Sequence, residues 1–277
     1  MSCYQLIAFD MDGTLLNSNK QISPETLNAI KRATAAGKTV ILCTGRNLAE
    51  LIDFKEGISG LRYLNCVSGA CVYDLKEKKT LYSQALDPET VKKLMEFGIK
   101  EEAMIHVLSE RSIVQKDQQS HMADFHMGVY QTMFDKITDK MDDIYHSFCE
   151  KPFPVLKLNL YHKNEASRIR TVERIKEAGL KTALALAEST SLECSPKRIH
   201  KGVGLKKLCE YLDLPLEQTI AVGDADNDTM ALKTAGLAVA MGNATGPIRE
   251  LADVIVADCD HDGCAEAIDK YLLGGKL

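Results

Sequence analysis

The sequence predicts an α/β protein whose core is a doubly wound, Rossmann-like parallel sheet, with a second domain of α+β character inserted into it. Three observations support this prediction. Short apolar runs alternate with helical patterns near both ends of the 277-residue chain, each run stops at a polar residue or a glycine, and the middle of the chain follows a different pattern. Continuous apolar runs are typical of strands buried on both faces of a parallel sheet.

The first stretch of the predicted core contains two strands joined by a helix. Apolar runs at residues 6–9 and 40–43 predict the strands, and residues 24–36 carry the helical pattern. Ser23 is the expected N-cap of this helix, and Gly37 is its expected stop. We therefore expect the chain to open with a strand, helix and strand unit.

The last stretch of the chain repeats this alternation. Residues 220–222, 237–241 and 254–257 predict further strands, and residues 202–212 and 226–235 predict helices before or between them. Strand and helix alternation implies right-handed βαβ units and a doubly wound sheet. Ligands of such sheets bind beyond the carboxyl ends of the strands, so we expect the polar residues that end these runs to converge there.

The middle of the chain, residues 84–188, predicts a separate domain. Residues 103–108 and Ser112–Gln115 suggest an antiparallel hairpin, residues 155–161 alternate like a strand exposed on one face, and residues 164–178 suggest a helix. An antiparallel sheet with helices on one side is the expected architecture. Residues 1–83 and 189–277 would then complete a single core domain around the insertion.

Composition excludes several classes of protein. The chain has 34 basic and 39 acidic residues, a formal net charge of -5 and no long basic run, so we expect no nucleic-acid partner. It contains no apolar run long enough to cross a membrane and no signal peptide pattern at its start, so we expect a cytoplasmic protein without a membrane partner.

The nine cysteines are scattered without C-x-x-C spacing and predict reduced, mostly buried thiols. Nothing in the sequence indicates an oligomeric state.

Two carboxylates follow the first predicted strand. Asp10 and Asp12 are two residues apart, and alternating side chains at a strand end can face the same way. Such a pair can hold a hard cation through oxygen, and one member can attack while the other moves protons. A turn with two solvated acids is the alternative, because Asp and Gly favour turns.

A second acidic cluster follows the run at residues 220–222. Asp224, Asp226, Asn227 and Asp228 present four carbonyl-bearing side chains within five residues, a set that suits Mg²⁺. The alternative is an ordinary acidic helix N-terminus, where Asp favours the dipole of the first turn.

A phosphate site is the third candidate. Thr44, Gly45 and Arg46 end the second predicted strand, and Lys201 opens a later helix. A hydroxyl, backbone amides and a lysine near a helix N-terminus are suited to an anion. Lys201 as a solvated surface residue, and Arg46 as the partner of a nearby carboxylate, are the alternatives.

Taken together, these motifs resemble a known family. They occur in the order Asp10-Met11-Asp12-Gly13-Thr14, Thr44-Gly45-Arg46, Lys201-Gly202 and Gly223-Asp224-Ala225-Asp226-Asn227-Asp228, each at an expected strand or helix end. This series resembles the haloacid dehalogenase superfamily of phosphohydrolases. The large insertion between the second and third motifs is similar to the α/β cap of its Cof-type branch. The resemblance extends over nearly the whole chain.

The resemblance implies roles for the motif residues. Asp10 would be the nucleophile that forms an aspartyl phosphate, and Asp12 the general acid and then the general base. Asp10, Asp12 through its backbone carbonyl, Asp224 and Asp228 would form the Mg²⁺ site. The phosphate oxygens would be bound by Thr44, Gly45, Lys201 and Asn227.

One position departs from the family pattern. Members of the branch usually carry Asn-Gly-Ala after the strand that follows the second motif, whereas this chain has Ser68-Gly69-Ala70. Ser68 keeps a hydroxyl group but lacks an amide donor. Ser68 and Arg46 are the residues we expect to contact the substrate beyond the phosphate.

The resemblance implies a Mg²⁺-dependent phosphatase of small phosphorylated metabolites, with a cap that covers the site and selects the substrate. Sugar phosphates and phosphorylated cofactors or their precursors are the expected substrates. A phosphomutase of the same superfamily is one alternative. Others are a receiver-like signalling protein, which the length of the chain disfavours, and a non-catalytic binding protein, which the intact Asp10 and Asp12 disfavour.

Overall fold

The computed structural model describes residues 3–54, 60–187 and 189–275. The chain divides into two compact units. We call them the core unit, which comprises Met1–Arg46, Phe54–Ser83 and His200–Leu277, and the inserted unit, which comprises Asn47–Asp53 and Gln84–Ile199. The predicted end of the insertion at residue 188 lies outside the described residues.

Among the described residues, the first part of the chain supplies one helix and five strands of the core unit. In chain order they are β1 (Leu6–Phe9), α1 (Pro24–Ala35), β2 (Thr39–Cys43), β3 (Tyr63–Cys66), β4 (Cys71–Asp74) and β5 (Lys79–Ser83). Short 3₁₀ helices occur at Ala49–Phe54 and Val67–Gly69.

The inserted unit follows with α2 (Pro88–Lys100), β6 (Met104–Leu108), β7 (Ser112–Gln115), α3 (Lys116–Gln119), α4 (Gln131–Ile137), β8 (Thr138–Met141), α5 (Ile144–Glu150), β9 (Lys157–Tyr161), α6 (Glu165–Glu177), β10 (Thr182–Ala187) and β11 (Ser191–Pro196). Two 3₁₀ helices, Met122–Phe125 and Gly128–Tyr130, precede α4.

The chain then returns to the core unit with α7 (Lys201–Leu212), β12 (Thr219–Gly223), α8 (Thr229–Thr234), β13 (Leu237–Ala240), α9 (Gly246–Leu251), β14 (Val254–Ile255) and α10 (Gly263–Ala267). The 3₁₀ helices Leu216–Gln218 and Asp226–Asp228 precede β12 and α8, and a π-helical turn, Ile268–Leu272, follows α10.

The core sheet has the order β14-β13-β12-β1-β2-β3-β4-β5. Strands β14 to β3 pair in parallel, which confirms the predicted doubly wound α/β core. β4 and β5 are antiparallel additions at one edge, so the sheet is mixed rather than wholly parallel. The reason is their short connections, which can join antiparallel neighbours but not parallel ones.

Helix α1 forms where the sequence predicts it. The Ser23 hydroxyl accepts a hydrogen bond from the Thr26 backbone N–H at 3.1 Å, and Pro24 occupies the first turn. Ala29, Ile30 and Ala33 form its buried stripe. A capped start and an apolar stripe are together sufficient to fix such a helix on the sheet.

The inserted unit contains a six-stranded sheet of order β10-β11-β9-β6-β7-β8, antiparallel except for the β7 and β8 pair. The expectation that β9 is exposed on one face is wrong, because every residue of Lys157–Tyr161 is buried. An apolar cluster formed by Met104, Val114, Met122, Phe125, Met127, Phe134 and Tyr161 packs beside it. The segment between α3 and β8 thus supplies side chains that the sequence did not assign to this sheet.

The inserted unit extends beyond its predicted end. Residues 189–199 belong to it because β11 pairs antiparallel with β10 on one side and β9 on the other. The core unit resumes at His200, directly before α7.

Two further expectations concern cysteines and membranes. None of the nine cysteines, all of which lie among the described residues, forms a disulfide, and six of them are buried, namely Cys43, Cys66, Cys71, Cys194, Cys209 and Cys264. Within the described ranges, no helix has the length and apolar character needed to cross a bilayer.

Candidate active site

Three aspartates converge at the carboxyl ends of two adjacent central strands. Asp10 directly follows β1, Asp224 directly follows β12, and Asp228 ends the next 3₁₀ helix. One carboxylate oxygen of each lies within 4.8 Å of the others. The polar ends of parallel strands β1 and β12 therefore meet as the sequence predicts.

Lys201 lies among these carboxylates. Its side chain is only 1% exposed, and its Nζ donates to Asp10 Oδ1 at 2.5 Å and to Asp228 Oδ1 at 2.7 Å. The position follows from the fold, because Lys201 is the first residue of α7 and precedes Gly202, which allows α7 to approach α8 closely. The alternative of a solvated surface lysine is therefore wrong.

The charges of this group are unbalanced, since three carboxylates share one buried lysine. Burial raises the pKa of Asp10 to about 7, against the opposing effect of Lys201, and Asp228 raises it further. Burial also raises the pKa of Asp224, partly offset by the Thr14 hydroxyl, which donates to its Oδ1 at 2.8 Å. The pKa of Lys201 is raised because the attraction of Asp10 and Asp228 exceeds the cost of burial.

This imbalance fits a divalent cation. Clustered carboxylate oxygens are the ligands of hard cations, and a cation would offset the charge that Lys201 leaves uncompensated. Asp10, Asp224 and Asp228 are the side chains that could hold it. The Asp12 carboxylate does not belong to this cluster, so the predicted metal role of Asp12 would have to use its backbone carbonyl.

Backbone contacts fix the geometry of the cluster. Asp228 Oδ2 accepts hydrogen bonds from the backbone N–H groups of Asp224 at 3.0 Å and Ala225 at 3.2 Å. Gly13 has a φ of +83°, and a Cβ there would lie 2.4 Å from Asp224 Oδ2. The loop after β1 can therefore approach Asp224 only with glycine at this position.

Asp12 occupies a different electrostatic environment. Arg46 donates to both of its carboxylate oxygens, from Nε and from Nη2, each at 2.9 Å. Lys20 Nζ lies 3.2 Å from Oδ1. Burial would raise the pKa of Asp12, but these two cations outweigh that effect and lower it.

The structure buries Thr44 at the end of β2. Its backbone N–H donates to the Asn65 carbonyl at 2.8 Å, and its hydroxyl accepts from the Arg46 N–H at 3.1 Å. Gly45 lies between them in the same turn. The expected pairing of Arg46 with a carboxylate is present, and the partner is Asp12.

The remaining predicted residues lie on turns. Asn227 is exposed in the 3₁₀ helix that ends at Asp228. Ser68 has φ +55° between Val67 at +51° and Gly69 at +96°, so three consecutive residues are left-handed. A Cβ at Gly69 would lie 2.0 Å from the His200 carbonyl oxygen, which places this turn against the start of α7. Neither Asn227 nor Ser68 has a described side-chain contact with the aspartates.

The sequence reasoning missed Asn65 and Lys20. Asn65, fully buried in β3, donates from Nδ2 to the Lys201 carbonyl at 2.7 Å and to Cys43 Sγ at 3.0 Å, and so links β2, β3 and α7. A single amide within the otherwise apolar strand Tyr63–Cys66 was the available signal. Lys20 had no comparable signal, because only the folded turn brings it to Asp12.

A doubly wound sheet with an acidic cluster at the carboxyl ends of its central strands and a large insertion defines the class of α/β protein to which this chain belongs. A family model described as haloacid dehalogenase-like hydrolase matches residues 7–268. The chain belongs to the haloacid dehalogenase-like hydrolase family. The match confirms two predictions. The chain is a member of the predicted superfamily and of its Cof-type branch, and it is an enzyme of the phosphatase class. Enzymes of this family typically need a divalent metal, consistent with the aspartate cluster.

Known proteins resemble the chain over nearly its whole length. Phosphatase YwpJ of Bacillus subtilis (strain 168) is 28% identical over 302 aligned residues, which cover 97% of this chain and 100% of that protein. The 5-amino-6-(5-phospho-D-ribitylamino)uracil phosphatase YcsE of the same organism is 28% identical and covers 97% and 96%. The crystal structure of a haloacid dehalogenase-like hydrolase from Bacteroides thetaiotaomicron superposes with a TM-score of 0.83 at 26% identity, covering 96% of this chain and 99% of that one.

Proposed function

We propose that the protein is a Mg²⁺-dependent phosphatase that hydrolyses small phosphorylated metabolites through a phosphoenzyme at Asp10. The observation that carries this proposal is the placement of Asp10 at the end of β1, within one buried cluster that also contains Asp224, Asp228 and Lys201. The activities named for the similar proteins, both phosphatases, support the same reaction class.

Asp10 is the proposed nucleophile. Lys201 engages its Oδ1, so we assign the attack on phosphorus to Oδ2. The Lys201 hydrogen bond fixes the orientation of the carboxylate, and its charge reduces the repulsion between the carboxylate and an incoming phosphate. The bond from phosphorus to the leaving oxygen breaks as the bond from Asp10 to phosphorus forms.

Asp12 is the proposed general acid and base. It gives a proton to the leaving oxygen in the first step and takes a proton from the attacking water in the second, when the bond between Asp10 and phosphorus breaks. Its carboxylate is 42% exposed, whereas that of Asp10 is 7% exposed, so Asp12 can exchange protons with solvent between steps. Burial raises the pKa of Asp10 and the cations beside Asp12 lower its pKa, so these roles rest on the family motif rather than on the charges of the unliganded site, and a bound cation would lower the pKa of Asp10.

The phosphate oxygens would be bound by Thr44, the Gly45 backbone, Lys201 and Asn227, with Ser68 and Arg46 as further substrate contacts. Thr44 and Lys201 are both buried in the core unit, at the ends of β2 and α7 that face the aspartate cluster, which supports their assignment. Mg²⁺ held by Asp10, Asp224, Asp228 and the Asp12 carbonyl would neutralise the phosphate charge.

The family supports a proposal for the class of substrate. Small phosphate esters, including sugar phosphates and phosphorylated cofactors or precursors, are the proposed substrates. The relative YcsE is named for a phosphorylated ribitylaminouracil, which supports this class.

The absence of a basic excess in the full sequence argues against nucleic acid as a partner. The location is proposed to be cytoplasmic, which the nine free cysteines support.

Hydrolysis of p-nitrophenyl phosphate tests the proposal. We expect turnover with Mg²⁺, loss of turnover with EDTA, and a fall of at least about 10³-fold for Asp10→Asn, since that change removes the nucleophile. Asp269→Asn is the matched control, because the Asp269 side chain is 45% exposed and pairs with Arg32 in the same unit. Its rate should equal that of the wild type.

Two results would refute the proposal. One is a wild-type protein, folded by circular dichroism, that is inactive on p-nitrophenyl phosphate and on a panel of sugar phosphates with Mg²⁺. The other is Asp10→Asn retaining most of the wild-type rate. Transfer of the phosphoryl group to a second sugar phosphate rather than to water would indicate the mutase alternative.

A further inference from the structure

Asn65 is a polar residue within an apolar strand of the core unit. All four residues of β3, Tyr63–Cys66, are buried, and the Asn65 side chain is fully buried among them. Asparagine is disfavoured in strands, and a buried amide lowers stability unless its hydrogen-bonding groups find partners. Packing of the sheet alone therefore does not explain an asparagine at this position.

The Asn65 amide nitrogen joins the end of one strand to the start of a helix. Nδ2 donates to the carbonyl oxygen of Lys201 at 2.7 Å and to Cys43 Sγ at 3.0 Å. An amide NH₂ group carries two protons, so these two bonds use both of them. Cys43 is the last residue of β2, and Lys201 is the first residue of α7. The amide thus fixes the first residue of α7 relative to β2 and β3.

Helix α7 packs directly against the same amide. A Cβ on Gly204 would lie 1.9 Å from Asn65 Oδ1 and 2.8 Å from Nδ2, so the helix can approach this closely only with glycine there. Oδ1 is buried and has no hydrogen-bond partner among the described residues. One half of the amide is therefore bonded and the other half is unsatisfied, which is unfavourable for stability.

Apolar contacts already anchor α7 to the sheet. Leu205 and Leu208 of the helix are buried in one apolar cluster with Ile41 and Val72 of the sheet. Burial of apolar surface has no preferred direction, whereas a hydrogen bond sets both the distance and the angle between two groups. The asparagine therefore adds to this anchor a defined position for one atom, the Lys201 carbonyl oxygen.

The start of α7 carries a residue whose position matters. The preceding residue, His200, makes no capping hydrogen bond from its side chain to the described part of the helix. The Lys201 side chain is 1% exposed, and its Nζ donates to Asp10 Oδ1 at 2.5 Å and to Asp228 Oδ1 at 2.7 Å. Because a lysine side chain is a flexible four-carbon stem, the position of its backbone decides which groups its ammonium reaches. The Asn65 bond at the Lys201 carbonyl therefore affects the geometry around Asp10.

We propose that Asn65 is a positioning residue that holds Lys201 in place between Asp10 and Asp228. Its Nδ2 fixes the Lys201 carbonyl oxygen, and the Lys201 ammonium in turn fixes the orientation of the Asp10 carboxylate. The inference rests on the proposed function, in which that carboxylate attacks phosphorus. Among the described contacts, Asn65 reaches the reacting groups through Lys201.

A double-mutant cycle tests whether Asn65 acts through Lys201. Asn65→Leu keeps the branched shape of the side chain and removes both hydrogen bonds. With Lys201 present, we expect it to lower kcat/KM for p-nitrophenyl phosphate in Mg²⁺ about tenfold, because a displaced ammonium no longer orients Asp10. In the Lys201→Met background, the same substitution should change kcat/KM by less than about twofold, since the effects of residues that act through one another do not add.

Thr219→Val is the matched control. Thr219 is also fully buried in a strand of the core sheet, β12, and its Oγ1 donates to the Leu216 carbonyl at 2.7 Å. It lies at the start of β12, whereas Asp224 follows the end of that strand. Thr219→Val should leave kcat/KM unchanged in both backgrounds, and thermal unfolding scans show whether every variant is folded at the assay temperature.

Asn65→Ala is the second variant, for the case that leucine does not fit beside Gly204. It removes the same two hydrogen bonds with a smaller side chain, and we expect the same pattern in the cycle. If neither variant folds, Asn65 serves the fold and the inference is wrong.

The remaining outcomes separate this inference from the proposed function. Equal losses in both backgrounds would mean that Asn65 supports the fold as a whole, and no loss with Lys201 present would mean that its hydrogen bond does not position the lysine. Each of these would overturn the inference while leaving the phosphatase intact. A folded wild-type protein without activity on p-nitrophenyl phosphate would instead count against the proposed function.

Discussion

Two clusters of charged side chains in this molecule have opposite charge balances. In the inserted unit, Glu101 at the end of α2 is 6% exposed and accepts hydrogen bonds from Arg170, Nε at 2.9 Å, and from Arg174 of α6. Arg170 and Arg174 lower the pKa of Glu101 to about 2. In the core unit, burial and Asp228 raise the pKa of Asp10 in spite of Lys201.

The charge balance of each cluster indicates its role in the protein. Two arginines on one carboxylate satisfy its charge and tie α2 to α6, which is a structural arrangement. Three carboxylates around one lysine leave charge uncompensated, which costs stability unless a cation is bound. Unbalanced charge in a buried cluster at strand ends is typical of a functional site.

Removing the single cation of the core cluster should have the largest effect. We expect Lys201→Met to lower kcat/KM for p-nitrophenyl phosphate by about 10³-fold, because it removes both a phosphate contact and the hydrogen bond that orients Asp10. Without Lys201 the three aspartates repel one another, so the midpoint of thermal unfolding should fall more in EDTA than in Mg²⁺. Steady-state kinetics and thermal scans measure the two effects.

Lys207→Met is the matched control for this prediction. Lys207 lies in the same helix, α7, but is 40% exposed and pairs with Glu210. Its activity and its response to EDTA should match those of the wild type. If Lys201→Met unfolded equally with EDTA and Mg²⁺, the charge imbalance would not be the feature that a cation relieves.

Removing the charge of Glu101 should have a smaller and purely structural effect. We expect Glu101→Gln to lower the free energy of unfolding at pH 7 by about 2 kcal/mol, because it breaks charge-assisted hydrogen bonds to two arginines. The folded pKa lies below the ordinary 4.5, so the contribution is complete above pH 4.5 and is lost as the pH falls towards about 2. Wild type and variant should therefore converge in denaturant titrations at acidic pH.

Glu102→Gln is the control for this measurement. Glu102 is the next residue, is 77% exposed and pairs with Lys163 at 2.7 Å. Solvent screens a pair at that exposure, so the variant should be nearly as stable as the wild type. Equal losses for both variants, or a difference that persists at pH 2, would contradict the structural role of Glu101.

Much of the core and its reactive residues could be predicted because they depend on local pattern. Strands β1, β2 and β12 are uninterrupted apolar runs, and parallel pairing brings the residues at their carboxyl ends together whatever the intervening chain does. Asp10, Asp224 and Lys201 therefore meet where the motifs predict. The cap-like insertion was visible as a change from continuous to alternating patterns.

The features that could not be predicted depend on long-range contacts. Lys20 reaches Asp12 because the Asn17 side-chain oxygen accepts hydrogen bonds from the backbone N–H groups of Asn19 and Gln21 and so closes a turn around it. The face of β9 that was expected to be exposed is buried, and side chains from residues 122–134 pack beside it. β11 belongs to the inserted unit because it pairs with β9 and β10, and its short sequence of mixed polarity does not determine which of the two sheets it joins. Each of these outcomes is a matter of tertiary packing rather than local propensity.

Trapping the phosphoenzyme tests the central claim most directly. Asp12→Asn lacks the base that activates water, so it should accumulate the phosphoryl group when mixed with p-nitrophenyl phosphate and Mg²⁺ and quenched in acid. Peptide mass spectrometry should locate that group on Asp10, and the double variant with Asp10→Asn should carry none. A phosphoryl group on another residue, or turnover by Asp12→Asn at the wild-type rate with no adduct on Asp10, would contradict the proposed roles of the two aspartates.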